Sequence, residues 1–213
     1  MLTLISATPS PYARKVRITL AEKNIPFTLQ TEVPWDSTTK TPQYNPLEKL
    51  PVLILENGKE AVYESRFILE YIEAKYPDTK SMLPPAEDVD ARLFARKVEV
   101  LADGICDALV LLFFEKQRAN PSKEWQARQL RKVDGGLAAL AKWVEGRDYV
   151  VCDSFGLADV AAGSVLGYLR VRWPDHPWME RHPELKAYSD KLEERQSFKE
   201  TVPSPQKISD KIV

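Results

Sequence analysis

Ser10-Pro11-Tyr12-Ala13-Arg14-Lys15 is the stretch of this 213-residue chain best placed to do chemistry. It follows a short apolar run, Leu2-Thr3-Leu4-Ile5, and opens an amphipathic one, Val16-Arg17-Ile18-Thr19-Leu20-Ala21. A hydroxyl followed by proline at a strand-to-helix junction is an N-cap with a first-turn proline. Such a junction also suits a thiol or a phosphate, because a helix start presents unpaired N–H groups and partial positive charge. The residue types alone leave capping and anion binding both open.

Two more segments share that character. Asn45-Pro46-Leu47-Glu48-Lys49-Leu50-Pro51 precedes a buried apolar run. Its Leu50-Pro51 bond is either cis, at a cost of about 0.5–1 kcal/mol, or a trans bond that starts an edge strand. A cis bond would leave the Leu50 N–H and C=O to pair with an extended peptide. Tyr63-Glu64-Ser65-Arg66 opens a second helix. There Glu64 or Ser65 either caps the helix or helps to hold a carboxylate.

Other chemistry is excluded or disfavoured. The histidines, His176 and His182, come late and each precedes a proline, so no Ser-His-Asp triad can form in the first third of the chain. Without a base, Ser10 is a hydrogen-bond donor and not a nucleophile. Cys106 and Cys152 lie far apart, have no metal-type spacing and read as reduced, partly buried thiols. Thirty basic and 31 acidic residues give a formal net charge of −1, which argues against nucleic acid or an anionic membrane as partner. No apolar run approaches the ~20 residues that span a bilayer, and the start lacks a signal peptide's pattern. A cytoplasmic protein is the expectation.

The elements that would position these residues follow from periodicity. Residues 2–6 and 27–31 read as strands and 11–23 as a helix. Val52-Leu53-Ile54-Leu55 reads as a buried strand and Asn57-Gly58 as a hairpin turn back into Ala61-Val62. Glu64 to Lys75 reads as a helix with Phe67, Ile68, Tyr71 and Ile72 on one face. The order β-α-β, loop, β-β-α makes a small sheet with helices on it. Three prolines between Pro77 and Pro85 mark a linker. Helices are then expected over 88–117, with room for a bend at Gly104, over 122–145, over Gly156–Arg172 as the central one, and over Pro183–Arg195. The tail from Val202 is expected to lie on the surface.

Taken together, the Ser10–Lys15 start, the 45–53 segment and Glu64-Ser65 leading into Phe67-Ile68-Leu69-Glu70-Tyr71-Ile72 resemble the glutathione transferase family. The serine-type members, such as plant tau-class and related bacterial enzymes, are the most similar in pattern. The resemblance covers essentially residues 1–200. It implies an α/β thioredoxin-like N-terminal domain over 1–78 and an all-α C-terminal domain over 87–205. It also implies a homodimer and a cis Leu50-Pro51 bond.

Carried over by position, the family pattern puts Ser10 on the glutathione sulfur. Leu50 and Pro51 would serve the cysteinyl backbone, Glu64 and Ser65 the γ-glutamyl end, and Lys49 the glycine carboxylate. Asp103 would reach the γ-glutamyl amine of a neighbouring subunit. Tyr12, Trp35, Phe113, Phe114 and Trp173 are candidate walls for an apolar electrophile between the domains. Arg14 would help only if it faced the thiol, and otherwise reads as a surface or domain-interface residue. A serine at position 10 cannot form the mixed disulfide that a cysteine would, which favours conjugation over thiol exchange. The implied activity is transfer of glutathione, as co-substrate, to small hydrophobic electrophiles. No metal and no cofactor are called for, and peroxidase activity is left open. The alternatives are a non-catalytic interaction protein on the same fold and a glutathione-dependent isomerase.

The family's Ser/Thr-x-x-Asp block is altered here to Gly156-Leu157-Ala158-Asp159. Glycine costs only a few tenths of a kcal/mol as an N-cap relative to serine, so the change touches stability and not chemistry.

Overall fold

The computed structural model describes residues 1–212. In chain order the elements are β1 (Leu2–Ser6), α1 (Pro11–Glu22), β2 (Phe27–Thr31), a 3₁₀ turn (Thr41–Gln43), β3 (Val52–Ile54), β4 (Ala61–Tyr63), α2 (Ser65–Lys75), α3 (Val89–Glu115), α4 (Lys123–Val144), α5 (Leu157–Arg172), α6 (Trp178–Arg181), α7 (Pro183–Glu193) and α8 (Gln196–Lys199). They cluster into two compact units. One is Met1–Met82 with Gln196–Lys211, and Leu83–Arg195 forms the body of the other. Residues 196–205, read from the sequence as the end of the helical domain, thus belong with the N-terminal unit.

In the N-terminal unit the sheet order is β2-β1-β3-β4. β1 pairs parallel with β2 and antiparallel with β3, and β3 and β4 make a hairpin. Flanked on both sides, β1 buries Leu4 and Ile5 completely, whereas the edge strand β2 keeps Thr28, Leu29 and Thr31 exposed. Ala13, Val16, Ile18 and Leu20 of α1 are fully buried. In α2 the buried face is Ser65, Ile68, Leu69 and Ile72, the i, i+3, i+4, i+7 stripe of a helix. Phe67, expected on that face, is 54% exposed. It sits one residue, about 100° of helix rotation, from the stripe.

The chain's passage out of this unit is tied down by a buried cation. The Lys23 side chain is 1% exposed and pairs with Glu73 at 2.9 Å. Its ammonium also donates to the Lys80 carbonyl at 2.9 Å, and Glu73 accepts the Met82 N–H at 3.1 Å. Partners on every side are what make a buried ammonium tolerable.

The helical unit is built around α5. Every residue from Leu157 to Leu169 in it is buried, so it is wrapped on all sides, as its uniformly apolar sequence predicts. α3 runs unbroken through Gly104. It packs on α4 where Gly136 faces Ile105; a Cβ on Gly136 would lie 2.5 Å from Ile105 Cγ1. At the start of α5, Asp159 accepts from the Val150 N–H at 3.0 Å, the Gly156 N–H at 2.9 Å and the Tyr188 hydroxyl at 2.6 Å. Burial pushes its carboxyl up, and these hydrogen bonds oppose that shift. The Asp159 N–H returns to the Gly156 carbonyl at 3.1 Å, a bond that needs no side chain at residue 156. Cys106 is buried and Cys152 is exposed. Among the described residues, no helix is long and apolar enough to cross a membrane.

Candidate functional site

Ser10 is the N-cap of α1, with φ −65° and ψ 117° and Pro11 directly after it. Its Oγ accepts the Ala13 N–H at 3.2 Å, and its carbonyl accepts the Arg14 N–H at 3.0 Å. Pro11 has no N–H to offer. The hydroxyl therefore takes one hydrogen bond from the helix as acceptor and, among the described residues, donates its own hydrogen to none. Accepting polarises the O–H and makes it a better donor.

Arg14 does not turn to this end. It is 2% exposed, its guanidinium lies 5.0 Å from the Phe198 ring centroid, and it donates to the Phe198 carbonyl at 3.2 Å. Its place is thus the packing of α8 onto α1, within one unit.

The 45–51 segment is held from inside. Asn45 is 1% exposed; its amide donates to the Lys49 carbonyl at 2.7 Å and its Oδ1 accepts the Leu47 N–H at 2.9 Å. Lys49 is left exposed, and among the described residues it makes no ion pair. The Leu50-Pro51 bond is cis. Leu50 lies just before the β3 ladder, which begins at Val52, and Pro51 is buried.

Glu64 caps α2 with φ 72° and ψ 121°. A left-handed φ in a residue other than glycine is costly and accumulates at functional sites. The Glu64 carboxylate accepts the Arg66 N–H at 3.1 Å and the Ser65 hydroxyl at 3.4 Å. Of the two capping candidates it is Glu64 that caps, while Ser65 is buried behind it.

Ser10, Tyr12, Trp35, Lys49, Leu50, Pro51, Glu64 and Ser65 all belong to the N-terminal unit, and Asp103, Phe113, Phe114 and Trp173 to the helical one. Asp103 is only 4% exposed. Phe113 and Phe114 stack edge to face at 5.1 Å, with the Arg172 guanidinium 4.8 Å from the Phe113 ring. Trp173 is 8% exposed under the Lys116 ammonium, 3.9 Å from its ring, and its indole N–H is buried with no hydrogen-bond partner among the described residues.

Sequence reasoning missed the support of the loop that carries Trp35. Glu32 accepts from Gln30 at 2.8 Å, Thr39 at 2.6 Å, Thr41 at 3.1 Å and the Lys40 N–H at 3.0 Å. Burial alone would raise its carboxyl, but those four bonds outweigh it and hold the group below the usual range. Asp36-Ser37-Thr38-Thr39 carries the signal, since such side chains bond nearby backbone in turns.

A protein-family model described as the glutathione S-transferase N-terminal domain matches residues 9–75, and the corresponding C-terminal domain model matches residues 123–191. A glutathione S-transferase of Arabidopsis thaliana, U1, is 30% identical over 208 residues, covering 93% of this chain and 87% of its own length. The chain belongs to the glutathione transferase family. An uncharacterized GST-like protein of Escherichia coli K12, YibF, is 36% identical over 205 residues, or 95% of this chain and 98% of its own. Among solved structures, a glutathione S-transferase of Methylobacterium radiotolerans in complex with glutathione sulfonate superposes with a TM-score of 0.96. It is 57% identical and covers 100% of this chain and 99% of its own. A second, from Methylobacillus flagellatus with GSH bound, has a TM-score of 0.89 at 38% identity, covering 95% and 100%. The mixed sheet with its helices and the separate helical unit are the glutathione transferase architecture, a thioredoxin-like domain followed by a helical one.

Proposed function

We propose that this glutathione transferase family member binds glutathione, lowers the pKa of its thiol and delivers the thiolate to small apolar electrophiles. The observation that carries this reading is the Ser10 hydroxyl, seated on the α1 N-terminus with its hydrogen available. Relatives 57% and 38% identical, crystallised with glutathione sulfonate and with GSH, support it.

The magnitudes suffice. A free thiol near pKa 8.5 is only a few per cent ionised at pH 7. A hydrogen bond to a charged group is worth about 1.5–3 kcal/mol, and a helix N-terminus adds up to about 2 kcal/mol in a partly buried site. At about 1.4 kcal/mol per pKa unit, a drop of roughly two units is within reach. On this reading Glu64 and Ser65 hold the γ-glutamyl end, Leu50 and Pro51 the cysteinyl backbone and Lys49 the glycine carboxylate. Tyr12 and Trp35, on the unit that carries Ser10, serve the electrophile. Hydroperoxides are a second substrate class for the same thiolate.

Retention on immobilised glutathione, with elution by free glutathione, tests the binding half. Turnover on aryl halides, enones and hydroperoxides tests the transfer half. No retention contradicts the reading; retention without turnover of any of them removes the transferase half.

The strain at Glu64 makes its own prediction. Glu64→Gly should raise stability by about 1 kcal/mol, because it relieves a strain of order 1–3 kcal/mol and loses only a few tenths in capping. The same variant should weaken glutathione binding. Denaturant unfolding together with calorimetric titration reads both, and a stability loss would contradict the account of the strain.

We also infer a homodimer through α3. Val89, Leu93, Val100 and Leu111 are 58%, 63%, 52% and 44% exposed, and their spacing puts them on one helical face, together with Arg96 and Asp107, a mixed face with exposed apolar side chains that a second copy would cover. Asp103 would serve the partner copy's glutathione. Sedimentation should give a dimer for the wild type and a monomer for Val100→Glu.

A further inference from the structure

The tail after α8 has no regular structure, yet it is hydrogen-bonded along its length. Thr201 and Pro203 are buried. Ser204 and Thr8 exchange two bonds: the Thr8 hydroxyl donates to the Ser204 carbonyl at 3.0 Å, and the Ser204 N–H donates to the Thr8 carbonyl at 3.4 Å. Thr8 lies in the turn closed by the Ser10 N–H on the Ala7 carbonyl at 3.1 Å. Further on, the Gln206 amide donates to the Glu32 carbonyl at 3.1 Å, and the Glu32 N–H is itself bonded to the Ser6 carbonyl at 2.8 Å. The tail therefore crosses the ends of β1 and β2 from which the Ser10 turn and the Trp35 loop depart.

Beyond that crossing two carboxylates close a reciprocal clasp. Asp36 accepts the Ser209 and Asp210 N–H groups at 2.8 and 3.2 Å. Asp210 accepts the Ser37 N–H at 2.5 Å, which holds its carboxyl below the usual range. Each acid thus satisfies backbone donors of the other's segment. These bonds fall on the two residues that follow Trp35, and the Gln206 bond to the Glu32 carbonyl precedes it, so the tail brackets Trp35, which is 43% exposed. A solvated tail or a freely moving loop would need none of this.

We propose that Ser204–Asp210 is a clasp which, through Asp36 and Asp210 as positioning residues, holds the Trp35 loop fixed relative to the Ser10 turn and so sets affinity for the apolar part of the ligand. The proposal rests on the function proposed above, and concerns the S-substituent, not the peptide of glutathione. The physical gain is pre-organisation: a loop ordered before binding spares the complex that entropy.

The test is calorimetric titration of the full chain with glutathione and with S-hexylglutathione, for the wild type, Asp36→Ala, Asp210→Ala and Asp36→Asn. Amide hydrogen exchange at Ser37, Ser209 and Asp210 is followed in parallel. Asp36→Ala should speed exchange at Ser209 and Asp210, and Asp210→Ala at Ser37. Both should weaken S-hexylglutathione roughly fivefold while leaving glutathione within about twofold, the size expected for ordering a side chain or two. Asp36→Asn keeps an acceptor oxygen and should restore most of the affinity. Unchanged exchange, an unchanged S-hexylglutathione affinity, or equal weakening of both ligands overturns the clasp alone. A wild-type chain that binds neither ligand overturns the proposed function and the clasp with it.

Discussion

Replacing Asp159 with alanine should cost the fold about 3–5 kcal/mol, because it strands two buried donors and one half-buried donor at once. The Val150 N–H, the Gly156 N–H and the Tyr188 hydroxyl all end on this one carboxylate. Asp159 is fully buried and Tyr188 is 5% exposed, so no water is at hand to replace the carboxylate for the Val150 and Tyr188 donors. Against a total stability of about 5–15 kcal/mol, such a loss leaves the helical unit marginal. Asp159→Asn keeps an oxygen for some of these donors but places an amide N–H against another, and should cost less. Tyr188→Phe removes only the shortest of the three bonds and should cost about 1 kcal/mol. Denaturant unfolding should rank the losses in that order. A cost under about 1 kcal/mol for Asp159→Ala would show that the network is not what holds the start of α5.

Ser10→Ala carries the largest expected effect on activity. On the proposed function it removes a hydrogen bond to a thiolate, worth about 1.5–3 kcal/mol, or a roughly 10- to 150-fold fall in kcat/KM at pH 7. The Ala13 N–H loses its cap as well, so stability should drop by about 1 kcal/mol. The two effects separate in the pH profile. A purely structural lesion lowers the rate at every pH, whereas loss of the thiolate's partner moves the rising limb to higher pH. Ser10→Thr keeps a hydroxyl at the cap and should retain most of both properties.

The parts of this site that could be read in the sequence are those set by local rules. A serine before a proline between a strand and a helix is a strong N-cap signal, and Ser10 takes that geometry. Strands 2–6 and 27–31 match the structure because one is a short apolar run and the other alternates apolar and polar residues, each a local strand signal. The capping of α2 was legible as a location but not as a residue, because Glu64 reaches its role through a left-handed backbone that propensity disfavours. Phe67 has a core residue's type, but the face it takes depends on where Ser65 starts the helix. Arg14 and the tail illustrate a third limit. The partners that bury Arg14 lie more than 180 residues away, and no periodicity encodes a contact of that kind. α6 leaves no periodic signal in the sequence, because its four residues make barely one helical turn.

The most direct test of the central claim is the pKa of the glutathione thiol while it is bound, followed by thiolate absorbance in the wild type and in Ser10→Ala. The account predicts a value roughly two units below the ~8.5 of a free thiol in the wild type, and a return by one unit or more in the variant. A bound thiol that titrates at the same pH in both proteins would contradict it.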